Sequence, residues 1–101
     1  MKTVFLVLFH WGYEGETGVD YSLFQNYYDA YDKFKEVIEE EINHQWIGNC
    51  LTKDGKALDG YELDTIERSD EEESDIWWNF YEIGRGSENF TNIDLKKVEV
   101  K

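Results

Sequence analysis

The chain has 101 residues, enough for one domain and too few for a second core beside the first. Apolar residues make up 41% of it and aromatic residues 17%, which excludes a disordered acidic tail despite a mean hydropathy of -0.69. Twenty-three Asp and Glu against 10 Lys and Arg give a formal charge of -13, which repels nucleic acid and anionic membranes and makes a cationic partner the natural one.

Thr3 to Trp11 alternates Phe5, Val7, Phe9 and Trp11 with Val4, Leu6 and Leu8, so the segment reads as a strand that is apolar on both faces and therefore central in its sheet. The run has the outline of a short signal peptide, but His10-Trp11-Gly12-Tyr13 offers no small-residue cleavage site. Gly12, Gly15 and Gly18 punctuate a loop before a second strand over Val19 to Phe24, paired with the first as a hairpin. Asn26 can cap a helix whose early turns carry Asp29 and Asp32, and Ala30, Phe34, Val37, Ile38 and Ile42 form its apolar stripe from about Tyr27 to Asn43.

Trp46 to Leu58 has no single period, with Lys53-Asp54-Gly55-Lys56 as a turn in its middle. Tyr61 to Glu67 and Ile76 to Ile83 read as strands, the loop from Arg68 to Asp75 between them is almost entirely acidic, and a Gly84 to Gly86 turn leads to a last strand over Phe90 to Val100. Its alternation slips at Lys96-Lys97, which suggests a bulge. The order β-β-α-β-β-β makes residues 1–101 a single acidic α+β domain, with an antiparallel or mixed sheet of four or five strands and one long helix on one face.

One helix covers one sheet face only, yet the Ile76 to Ile83 strand is apolar on both, with Trp78 on one side and Trp77 on the other. Folding of Trp46, Ile47, Cys50 and Leu51 over the open face is the simplest cover, and a partner or a second copy in a homodimer is the alternative.

No catalytic, cofactor or metal signature emerges. His10, His44 and Cys50 fit no zinc spacing, Gly84-Arg85-Gly86-Ser87 lacks the helix of a phosphate loop, and no Ser or Cys nucleophile sits in a recognisable motif. A thin single core leaves little room for a ligand pocket, so a non-enzymatic protein is expected. The single Cys50 excludes an intrachain disulfide and no stretch reaches the roughly 18 apolar residues of a membrane helix, so a cytoplasmic location with no membrane partner is expected.

The charge is uneven. Residues 1–58 hold 10 acids and 5 bases, residues 59–75 hold 9 and 1, and residues 76–101 hold 4 of each, so the three parts carry -5, -8 and 0. Asp70, Glu71, Glu72 and Glu73 are consecutive, with Asp75 close behind, and Glu39, Glu40 and Glu41 cluster near the helix C-terminus, where the dipole disfavours anions. Glu36 and Glu40 stand one helical turn apart, and Glu62 and Asp64 share one strand face, at separations comparable to those of successive phosphates. Such rows cost local stability, and features of that kind mark functional sites.

These acids, with Trp77 and Trp78, are the candidate partner-binding residues. In composition and size alone the chain resembles the acidic counter-defence inhibitors of phages and plasmids, including anti-restriction and anti-CRISPR proteins. The resemblance implies a nucleic-acid mimic that blocks the basic groove of a DNA- or RNA-binding protein. The alternative is a small accessory domain whose acidity only keeps it in solution.

Overall fold

The computed structural model of the protein describes residues 2–66, 75–83 and 89–100, apart from the side chains of Gln45, Trp46 and Val100. Strands β1 (Lys2–Tyr13) and β2 (Glu16–Phe24) are followed by helix α1 (Tyr27–Ile42), a single turn α2 (Gln45–Gly48), and strands β3 (Tyr61–Ile66), β4 (Ile76–Glu82) and β5 (Phe90–Val100). The strands form one sheet in the order β2-β1-β5-β4-β3, and every neighbouring pair is antiparallel. The α+β expectation therefore holds in its fully antiparallel form, and β1, apolar on both faces, is interior.

The β1–β2 turn is tighter than the glycines suggested. Tyr13 pairs with Glu16, so Glu14 and Gly15 alone reverse the chain, with φ of 49° and 87°, the two left-handed residues of a type I′ hairpin. Gly12 and Gly18 thus lie within strands, not in a loop. Gly18 is needed for a different reason: a Cβ there would meet the Trp11 indole at 2.5 Å, so the ring lies directly on the strand backbone.

No bulge interrupts β5. Its register against β1 is continuous from Gly12↔Phe90 to Lys2↔Val100, and the slip in hydrophobicity only marks where Lys97 and Glu99 stand opposite Phe5 and Thr3, at the end of the sheet where α1 begins.

Helix α1 starts as its sequence predicts. Asn26 is extended (φ -119°, ψ 132°) and its side-chain oxygen accepts from the Tyr28 and Asp29 amides at 2.7 and 3.3 Å. The buried stripe is Tyr27, Ala30, Phe34, Val37, Ile38 and Glu41, whereas Ile42, assigned to it from the sequence, is 36% exposed. In the last turn a carboxylate takes the inward position.

Phe5 and Val7 from β1, Ile76, Trp78 and Phe80 from β4, and Ile93 and Leu95 from β5 form one core with that stripe. Helix α1 runs over β1, β2 and β5. The chain then drops through α2, whose Ile47 is fully buried in the same core, and Cys50, Leu51 and Ala57 pack against it together with Tyr61 and Leu63 of β3. The segment expected to fold over the open face thus covers the helix side instead, because the short connection after α1 keeps it in that layer. Neither helix covers the opposite face.

Candidate functional site

Cross-strand register fixes what stands on the open face. One row runs Tyr21, Leu8, Asp94, Trp77 and Ile66; the next runs Val19, His10, Asn92, Asn79 and Asp64; a third places Phe90 beside Tyr81 and Glu62. The β1–β2 half is apolar, with Val19, Tyr21 and Leu23 exposed by 65, 63 and 57%. The β3–β4–β5 half combines aromatic rings with acids. Glu62 and Asp64 are exposed on β3, and Asp75, exposed just before β4, lies close enough to Asp94 to act on it electrostatically. Burial raises the Asp94 carboxyl above its ordinary value, Lys96 opposes this, and Asp75 adds to it. The Tyr81 hydroxyl donates to its cross-strand neighbour Glu62, which raises the phenol. The Trp77 Nε1–H and Asn79 Oδ1 are enclosed with no hydrogen-bond partner among the described residues.

The candidate residues therefore separate into groups. Glu62, Asp64, Asp75 and Trp77 share the open sheet face, joined by Asp94 and Tyr81, which the sequence did not single out because the pairing of β5 with β4 is not written in either strand alone. Glu36, Glu39 and Glu40 are exposed on α1, in the other layer, and Lys33 lies 3.6 Å from Glu36. Trp78, only 2% exposed, is a core residue and leaves the partner-binding set. Glu41 leaves the solvent-facing cluster as well: it is 7% exposed, and its Oε1 accepts from the Thr91 hydroxyl at 3.3 Å while its Oε2 lies 3.2 Å from His44 Nε2. Burial raises its carboxyl above the ordinary value, against the pull of His44 and the Thr91 hydrogen bond. Asp70, Glu71, Glu72 and Glu73, and the Gly84 to Gly86 turn, lie outside the described residues.

Contrary to the expectation from a thin core, a cleft of about 830 Å³ opens on the helix side of the sheet. It exists because β1 continues to Tyr13 and β5 begins at Phe90, while α1 ends at Ile42, so the strands outrun the helix. Phe9, Trp11 and Tyr13 line it with rings, and Glu16 and Glu41 with carboxylates, while the ring of Phe90 at its border packs edge-on against His10 on the open face. His44 and Thr91, the two partners of Glu41, also border it. The signal in the sequence was the spacing of Glu41 from Val37 and Ile38, which places it on the inward stripe.

Among the described residues no three His, Cys, Asp or Glu side chains are grouped to hold a metal ion, and no helix is long and apolar enough to cross a membrane. No protein family, curated protein or solved structure matches the chain.

Proposed function

We propose that the protein is a non-enzymatic acidic inhibitor of the phage or plasmid counter-defence kind, anti-restriction or anti-CRISPR, whose carboxylates stand in for phosphates in the basic groove of a nucleic-acid-binding protein. The observation that supports this reading is the β3–β4–β5 half of the open face, where Glu62, Asp64, Asp75 and Asp94 surround Trp77 and Tyr81. Carboxylates attract a cationic groove at long range, and aromatic side chains supply the contact area at close range. Helix α1 adds a second acidic surface, since Glu39 and Glu40 are exposed in a last turn that holds no base.

A second reading, an accessory domain with merely solubilising acidity, is favoured by the division of the acids between two layers that one groove cannot meet together.

The two readings are separated by capture of basic DNA- and RNA-binding proteins on the immobilised chain at low and high salt, with duplex DNA and RNA as competitors. Specific mimicry requires elution by salt and displacement by nucleic acid. It also requires that neutralising Glu62, Asp64, Asp75 and Asp94 to amides reduces capture far more than the same change at Glu14, Glu16, Asp20 and Asp54. Equal losses from the two sets would support the accessory reading.

A further inference from the structure

We infer that the cleft between the overhanging ends of β1 and β5 and the C-terminal end of α1 is a binding site for an organic cation, an ammonium or guanidinium group carried on an apolar stem. This site is separate from the acidic sheet face and does not depend on it.

Its walls suit that chemistry. Phe9, Trp11 and Tyr13 line a space of about 830 Å³ that also takes in Glu16 and Glu41. Aromatic faces carry negative quadrupole charge and hold cations best where water is excluded, with indole the strongest of the three ring types. The Trp11 indole is fixed for this use, because it rests on Gly18 where any Cβ would come within 2.5 Å of the ring.

Glu41 supplies the charge. Its side chain is 10% exposed, and the imidazole of His44 beside it is 63% exposed and 3.2 Å away, so water screens that ring more than the carboxylate. Thr91 orients Oε1 by a hydrogen bond but brings no charge. A largely buried carboxylate beside aromatic walls is thus left short of positive charge, which a ligand cation would complete. The overall charge of -13 favours the approach of a cation and opposes that of an anion.

The same chemistry is offered by a free ammonium compound and by the arginine or lysine side chain of a partner, and a titration of the full-length isotope-labelled chain distinguishes them. The probes are benzyltrimethylammonium and Nα-acetylarginine amide, with benzyl alcohol and benzoate as neutral and anionic counterparts. At least one cation should saturate shifts of the Trp11 indole N–H and the Gly12, Tyr13 and Thr91 amides, and bind roughly tenfold or more tightly than benzyl alcohol. The tighter of the two cations identifies the source.

Glu41→Gln keeps the size of the side chain and an acceptor for Thr91, and should weaken the cation roughly tenfold while leaving benzyl alcohol unchanged. Gly18→Ala, which dislodges the indole, should weaken the cation roughly three- to thirtyfold. Circular dichroism of each variant establishes that the fold is retained. No saturation by either cation, equal binding of benzyl alcohol or benzoate, or cation binding unchanged in Glu41→Gln would overturn the assignment.

Discussion

Glu41 brings a carboxylate to a helix position that the spacing of Tyr27, Ala30, Phe34 and Val37 reserves for an apolar side chain. Burial raises its carboxyl, so the folded state binds this proton more tightly than the unfolded state does. That contribution to stability is complete at low pH and is lost as pH rises through the raised folded value. Glu41→Gln has no charge to desolvate, so its melting temperature at neutral pH should equal or exceed that of the parent. The difference should shrink as pH falls towards ordinary carboxylate values of about 4. A variant melting several degrees lower at neutral pH would show that the ionised pair with His44 stabilises the fold. The adjacent tryptophans give a second contrast at this scale. Trp78 is 2% exposed among Phe80, Ile93 and Ile76, and Trp78→Ala should cost about 3–5 kcal/mol in urea unfolding. Trp77, half-buried on the other face, should cost less than half as much, and its loss should weaken partner capture more than folding. Equal costs with no change in capture would make both faces internal.

Elements governed by neighbours in sequence were legible, and those governed by distant pairing were not. Asn26 and the stripe from Tyr27 to Ile38 announced α1, and the two-sided apolarity of β1 announced an interior strand. The destination of residues 46–58 was not legible, because it depends on how far α1 reaches across the sheet, and Asp94 gained its neighbours Trp77 and Asp75 only through the β4–β5 register. The cleft arose from a mismatch in length between strands and helix, a relation that no single segment records. Glu62, Asp64, Asp75 and Trp77 were named individually from sequence, but their common face follows from the antiparallel ladder. Local devices carry measurable weight: Asn26→Ala removes the oxygen that holds two amides and should cost about 1 kcal/mol. Gly15→Ala, forced to φ of 87° at the turn, should cost a similar amount, roughly 1 kcal/mol, whereas its open surroundings add no clash. Urea denaturation of each variant measures the difference, and no loss from Gly15→Ala would mean that the turn adopts another geometry.

At the scale of the whole molecule, a charge of -13 acts on a body with principal extents of 44 × 28 × 20 Å, so acids on both layers repel one another over distances comparable to the screening length of dilute buffer. Raising monovalent salt from roughly 20 to 500 mM should therefore raise the melting temperature, as screening shortens that length from about 20 to about 4 Å. A flat or falling response would remove the cost attributed to the acid rows. The sheet order carries a mechanical consequence as well. Strand β5 is the seam between the β1–β2 hairpin and the β3–β4 hairpin, and Lys2 stands directly opposite Val100. Tension applied at those two residues falls on one corner of the seam, across hydrogen bonds that lie perpendicular to the strands. The load is then borne by one rung at a time, as in a zipper rather than in a sheared joint, until the opening reaches the part of the seam where α1 packs across both β1 and β5.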